Sequence, residues 1–147
     1  MFDSNETVNG VVECTSFHID RATEIEIVRE LQENKVVAYW QDGNKDNVER
    51  LYHSILRKAT TYKSLTHKLN IPYVIAVYID FKLVVDSDEI KSCLYDEETG
   101  IFQIYPNISG VLLFSDNSGQ YKFSYFENPG ARYGIRIPNG LFPPSAA

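Results

Sequence analysis

The chain has little cysteine: among its 147 residues there are two, Cys14 and Cys93, which lie 79 positions apart. They form no CxxC motif and no disulfide ladder, so we expect two buried, reduced thiols. A structural zinc ion would need about four Cys or His ligands, and the three histidines are irregularly spaced. The cysteine content therefore argues against a disulfide framework and against a zinc site.

Long hydrophobic runs are also missing. The longest, Ile71–Ile79, has nine residues, whereas a membrane-spanning helix needs about 18 to 20. The first ten residues are acidic and lack an apolar core, so we do not expect them to be a signal peptide. From these absences we expect a cytoplasmic protein that does not associate with a membrane.

Glycine and proline are sparse and follow no period, with 8 Gly and 6 Pro, which excludes collagen-like and low-complexity chains. The hydrophobic fraction of 44% and the charged fraction of 23% are those of an ordinary globular domain. No linker rich in Gly, Ser or Pro divides the chain. We therefore predict a single domain over residues 1–142, followed by a disordered tail over residues 143–147.

The formal net charge is −6, which argues against a protein that binds DNA through a broad basic surface. It does not argue against an enzyme that reaches phosphate through a metal ion, because such a site needs carboxylates. The charge is unevenly distributed. Residues 1–34 carry eight acidic and two basic side chains, whereas residues 45–69 carry six basic and two acidic ones. A solvated surface or a binding partner would each explain this separation.

The spacing of apolar residues predicts alternating strands and helices. Strands are predicted over 11–17, 35–40, 73–79, 101–105, 110–115 and 120–126, and helices over 21–33, 45–69 and 86–96. Segment 73–79 is apolar at every position, a pattern typical of a strand buried on both faces of a sheet that helices cover. A turn over 116–119 would join the last two strands as a hairpin. These elements predict a mixed α/β fold, with a central sheet flanked by helices.

The predicted helix over 45–69 carries one lysine on its apolar face. Its apolar and aromatic residues recur every three or four positions, and Lys58 interrupts this stripe. A lysine on a buried stripe costs free energy unless an anion pairs with it. Two interpretations are open: Lys58 reaches water from the edge of the stripe, or its amine points inward beside Tyr62, toward a carboxylate.

The first predicted strand carries a carboxylate among apolar residues. Alternation puts Glu13 on the same face as Val11 and Thr15. Either this is an edge strand whose acid faces water, or Glu13 is a metal ligand. In the second case a hairpin would return Asp3 to within a few ångströms of Glu13. Two carboxylates at one place can hold Mg²⁺ and activate water for attack on a phosphodiester.

Phe2-Asp3, followed about ten residues later by Val11-Val12-Glu13-Cys14-Thr15, resembles the signature of the PD-(D/E)xK nuclease superfamily. In that signature an aspartate precedes two hydrophobic residues, a glutamate, any residue and a lysine on the next strand. The family's lysine would fall on Thr15. In some branches the amine lies instead on the following helix near a tyrosine, and Lys58-Ala-Thr-Thr-Tyr62 resembles that arrangement. Segment 71–77 looks like the family's buried strand after the helix, and the C-terminal stretch 107–133 resembles uncharacterised bacterial proteins that carry such a core.

The resemblance implies a restriction-endonuclease-like fold that lacks the N-terminal helix and strand usually found before the aspartate. It implies Mg²⁺ as cofactor, with Asp3 and Glu13 as metal ligands and, together with Lys58, as catalytic residues. Lys58 would orient the attacking water or stabilise the negative charge that develops on the phosphate. Thr15, which would hydrogen-bond a metal-bound water, and Tyr62 are the auxiliary residues of this arrangement.

A nucleic-acid partner is implied as well. Arg57 and Lys63, on the long predicted helix, would face the nucleic-acid backbone. Segment 126–134 is dense in turn-forming residues and has two interpretations. It is either a closing turn in which Arg132 packs on an aromatic ring, or a binding loop in which Arg132 and Arg136 meet an anion.

A second hypothesis belongs to a different class: a catalytically inactive or partial nuclease-like domain that acts as a protein-interaction module. The absence of a lysine on the strand and the net charge of −6 favour it. A truncated sheet would leave an unpaired edge, which a protein partner or a second copy of the chain tends to cover. No sequence motif of nucleotide kinases, dehydrogenases, zinc proteases or serine hydrolases is present.

Overall fold

The computed structural model describes residues 10–18, 21–33, 44–80 and 87–135. In chain order the elements are β1 (Val11–Phe17), α1 (Arg21–Gln32), α2 (Asn44–Thr61), α3 (Lys63–Leu69), β2 (Tyr73–Ile79), α4 (Ser87–Tyr95), α5 (Ile101–Ile104), β3 (Gly110–Asn117) and β4 (Gln120–Glu127). The predicted mixed α/β class is confirmed. Asp3, the predicted strand over 35–40 and the predicted tail lie outside the described residues.

The four strands form one mixed sheet in the order β1-β2-β3-β4. The pairs β1–β2 and β2–β3 are parallel, and β3–β4 is antiparallel. The predicted hairpin turn joins β3 to β4, where Ser118 and Gly119 have φ of 56° and 82°. These left-handed values are those of a two-residue hairpin turn, which favours glycine. The Gly119 N–H donates to Oδ1 of Asp116 at 2.8 Å.

Strand β2 lies between β1 and β3, and its first five residues are buried. Residues on both of its faces are buried, which confirms the prediction from its continuous apolar sequence. On one face, apolar side chains of β2 and β3 pack against α2, α4 and α5. The core on this face comprises Phe17, Leu51, Ile55, Ala59, Tyr73, Ile75, Val77, Ile90, Leu94, Ile101, Phe102, Ile108, Val111, Leu113 and Phe126. None of the helices among the described residues has the length and hydropathy of a membrane span.

The predicted helix over 45–69 is two helices, α2 and α3, with a break at Tyr62. Thr60 and Thr61 direct their hydroxyls to the carbonyls of residues four positions back, at 2.9 and 2.8 Å. Such bonds bend helices. Beyond the break the buried residue is Thr66, while the expected stripe residue Leu65 is 45% exposed. The interruption therefore shifts the phase of the buried face.

The predicted strand over 101–105 is wrong, because this segment forms the short helix α5. The chain enters α5 through a compact turn at Asp96, whose carboxylate accepts hydrogen bonds from the backbone of Thr99 and Glu98 and from the Thr99 hydroxyl. These bonds, that of the Thr99 N–H first, lower the pKa of Asp96. Gly100 completes the turn at a position where a Cβ atom would lie 2.4 Å from the Asp96 carbonyl oxygen.

The two cysteines are free, as expected, but the prediction that both are buried is wrong. Cys14 is exposed and Cys93 is half-buried. Cys14 lies on the face of β1 opposite to Glu13, because neighbouring strand residues alternate between faces. Burial, and after it the negative charge of Glu89, raises the pKa of Cys93.

Candidate functional site

The side chains of Glu13 and Lys58 meet between β1 and α2. Lys58 Nζ donates to Oε1 of Glu13 at 2.6 Å, although 45 positions separate the two residues in the sequence. Their side chains are 24% and 23% exposed. Of the two interpretations of Lys58, the structure shows the inward one: the amine faces a carboxylate on the sheet.

Alternation along β1 and the helical repeat of α2 explain this contact. Glu13 is paired in register with Ile75 of β2, which is fully buried. Its side chain therefore lies on the sheet face that the helices cover. Lys58 follows the buried residue Ile55 by three positions and precedes Tyr62 by four, so the three share one side of the helical segment. Since β1 pairs only with β2 among the described residues, the ion pair lies near the rim of the core.

Two tyrosines lie next to the ion pair. The rings of Tyr62 and Tyr73 pack with centroids 6.0 Å apart, and the Tyr73 hydroxyl lies 3.5 Å from the backbone carbonyl oxygen of Lys58. Burial first, then the negative charge of Glu13 and the neighbouring Tyr62, raise the pKa of Tyr73 far above its usual range. Tyr73 is therefore a neutral phenol that can donate a hydrogen bond but cannot act as a base at ordinary pH.

The arrangement combines one carboxylate, one ammonium group and the hydroxyl of Thr15, which is half-buried two positions along the same face of β1. It can bind a cation through the oxygens of Glu13 and an anion through Lys58. Within the described residues, no three His, Cys, Asp or Glu side chains come together in a way that could hold a metal ion. Asp3, the second predicted metal ligand, lies outside these residues.

The remaining predicted residues occupy two other places. Arg57 is exposed on α2. Lys63 and Arg132 line a separate groove, where Lys63 Nζ lies 5.6 Å from the ring centroid of Tyr105 and Arg132 donates a hydrogen bond to His67. The structure therefore brings Lys63 and Arg132 together, but apart from the Glu13–Lys58 pair.

His67 is a groove residue that the sequence reasoning assigned no role. Its position four residues after Lys63 was a usable signal, because residues at this spacing share one side of a helix. The contact with Arg132 spans 65 sequence positions and has no local signal.

His18, on the segment after β1, lies away from the Glu13–Lys58 pair. It follows the carboxyl end of β1, where its ring lies 3.6 Å from the carboxylate of Asp80 and its carbonyl accepts a hydrogen bond from Arg50. It lies five positions after Glu13, which corresponds to about 16 Å along an extended strand. His18 is therefore not part of the Glu13–Lys58 site.

Comparison with known proteins finds no matching family model, no matching curated protein and no matching solved structure.

Proposed function

We propose that this chain is a nuclease-like α/β domain that hydrolyses phosphodiesters of nucleic acid with the help of a divalent cation. The observation that supports the proposal is the 2.6 Å contact between Glu13 of β1 and Lys58 of α2. A carboxylate supplies a cation ligand, and an ammonium group supplies positive charge. Metal-assisted attack on a phosphate group uses both.

Glu13 would be one ligand of Mg²⁺. This ion prefers oxygen ligands and is often held by one or two carboxylates, with water and substrate phosphate as its other ligands. The oxygens of Glu13 fit this preference, Asp3 is the second carboxylate in the proposal, and Thr15, on the same face of β1 as Glu13, would hydrogen-bond a metal-bound water. Mg²⁺ bound there would supply Lewis-acid charge to the phosphate group.

Lys58 would stabilise the negative charge that develops on the phosphate. Its ammonium group has three N–H donors, so it can keep its bond to Glu13 while it donates to a phosphate oxygen. The phenol of Tyr73 lies 3.5 Å from the backbone carbonyl oxygen of Lys58 and packs against the ring of Tyr62. Arg57, exposed on the same helix, would add positive charge near the nucleic-acid backbone.

Cleavage of supercoiled plasmid DNA in the presence of Mg²⁺ or Mn²⁺ tests the proposal. We expect the wild-type chain to nick the plasmid, and Glu13→Gln and Lys58→Met to lose about a hundredfold or more in rate, as when one charge-stabilising group is removed from an active site. The control is Glu49→Gln, an exposed carboxylate on α2, which should leave the rate unchanged. Wild-type protein that nicks no DNA, or variants that nick it at the wild-type rate, would refute the proposal.

A second candidate function is the catalytically inactive domain that binds a protein partner or a second copy of the chain. The specific observation in its favour is that Lys58 already neutralises Glu13, so the carboxylate has its counter-ion without a metal. Sedimentation of the purified chain tests this candidate. A dimer at micromolar concentration, together with no divalent-dependent cleavage, would favour it over the enzyme, and a monomer that cleaves DNA would exclude it.

A further inference from the structure

A groove lies on another side of the helical segment from the Glu13–Lys58 pair. It has a volume of about 550 Å³, and its lining side chains include Thr60, Lys63, His67, Ile104, Pro106 and Arg132. Lys58 and Thr60 are two positions apart on α2, which places them about 200° apart around the helix. The groove is therefore a separate site.

The groove is basic. Lys63, His67 and Arg132 line it, and none of its lining residues within 44–80 and 87–135 is acidic. In this part of the chain no carboxylate forms an ion pair with Lys63 or Arg132. Arg132 Nη1 donates to Nδ1 of His67. Among the described residues, the guanidinium group of Arg132 therefore has no carboxylate as counter-ion, and a bound anion would provide one.

Hydrogen bonds fix the loop that carries Arg132. Asn128 is 4% exposed, and its side chain donates to the Ile108 carbonyl at 2.7 Å. The backbone N–H of Arg132 donates to the Pro106 carbonyl at 2.8 Å. Across the groove, the Tyr105 ring lies under the ammonium group of Lys63. Because these groups are already positioned, an anion would bind with little further ordering of the loop.

We propose that this groove binds the phosphate group of a nucleotide, either free or within a strand. The guanidinium of Arg132 offers a planar set of N–H donors that matches phosphate oxygens, and Lys63 and His67 add donors from α3. The volume lies in the range of about 300–1,000 Å³ that small-ligand sites occupy, so a bare phosphate would leave most of it empty. Ile104 and Pro106 form an apolar wall against which a base can lie. This proposal does not depend on catalysis at Glu13 and Lys58.

Calorimetric titration of the full chain with AMP tests this site. We expect saturable binding that Arg132→Gln weakens by about tenfold or more, because the planar donor set is lost. Ser64→Glu provides a second variant on the opposite wall, where an exposed serine lines the groove. Its added negative charge should abolish binding even if Arg132→Gln also loosens its loop. The matched control is Lys68→Gln, an exposed lysine of α3 that is not among the lining residues, and it should bind AMP as the wild type does.

Three titrants distinguish the sources of the phosphate: inorganic phosphate, AMP and a thymidine decamer. Tighter binding of AMP than of the decamer assigns the site to a free nucleotide, and the reverse assigns it to a strand. The proposal is overturned if the wild type binds neither nucleotide, or if inorganic phosphate binds as tightly as AMP. It is also overturned if binding survives both groove substitutions, or disappears in Glu13→Gln, which would place the ligand at the other site.

Discussion

Disrupting the ion pair between Glu13 and Lys58 should reveal a measurable coupling free energy. Fully exposed pairs contribute about 0.2–1 kcal/mol, whereas removing one partner of a fully buried pair costs about 3–5 kcal/mol. Both side chains are about three-quarters buried, at 24% and 23% exposed, and their contact of 2.6 Å is a charge-assisted hydrogen bond. We therefore expect a coupling free energy of about 1–2 kcal/mol, between these two limits.

The two single substitutions should differ in cost. Lys58→Met leaves the short side chain of Glu13 charged and unpaired against the sheet, whereas Glu13→Gln leaves a long lysine that can extend toward water. We expect Lys58→Met to cost more free energy of unfolding than Glu13→Gln. The double variant should cost less than the sum of the two, since both charges are then absent.

A double-mutant cycle measures this coupling: the free energy of unfolding in urea is determined for the wild type, both single variants and the double variant. The control cycle uses Asp88 and Lys91, an exposed pair on α4 with its charged atoms 3.6 Å apart, where the coupling should stay below about 0.5 kcal/mol. Salt should weaken the Asp88–Lys91 coupling more than the Glu13–Lys58 coupling, because buried charges are less screened. If Glu13 and Lys58 couple no more strongly than the control pair, our account of the site geometry is refuted.

Further predictions concern the turn before α5 and the faces of β1. In a thermal unfolding assay, Gly100→Ala should destabilise the chain by about 1–3 kcal/mol, the usual cost of overpacking, because a Cβ atom there would meet backbone atoms. The control Gly134→Ala should be neutral, because a Cβ atom at that position meets nothing within 4 Å. Folding lowers the pKa of Asp96. The ionised carboxylate should therefore stabilise the folded chain at pH values above the unfolded-state pKa, and this contribution should disappear as the pH falls through the lower folded-state pKa. The difference in melting temperature between the wild type and Asp96→Ala should therefore shrink on acidification, and a constant difference would contradict this assignment. Cys14 is exposed, whereas Cys93 is half-buried and has a raised pKa, so Cys14 should react faster with iodoacetamide at neutral pH. Mass spectrometry measures the two rates, and equal rates would indicate a different register of β1.

The elements with strong periodicity are those that sequence reasoning predicts. Strands β1 and β2 begin and end at the predicted residues, because alternation in one and a continuous apolar run in the other leave little choice. Strand alternation puts Glu13 on one face of β1, and helical periodicity puts Lys58 on the apolar stripe of the helix; the inward orientation of Lys58 was one of the two interpretations that these patterns left open. Their contact across 45 positions is shown only by the structure.

Other features depend on contacts that no local pattern encodes. The segment Ile101–Ile104 is short and apolar, and periodicity alone cannot distinguish a buried strand from a buried helix at this length. In the structure this segment is a helix that follows the compact turn at Asp96 and Gly100. Likewise, the basic groove exists because a loop held by Asn128 brings Arg132 to His67. Such long-range packing becomes visible only in three dimensions.

Calorimetric titration of Mg²⁺ or Mn²⁺ into the purified chain tests the central proposal most directly. The account predicts saturable binding by the wild type that disappears in Glu13→Gln and persists in the Glu49→Gln control. It also predicts that Arg132→Gln, in the separate groove, leaves metal binding intact. The absence of binding by the wild type, or binding that Glu13→Gln leaves unchanged, would contradict the assignment of Glu13 as a ligand of the catalytic cation.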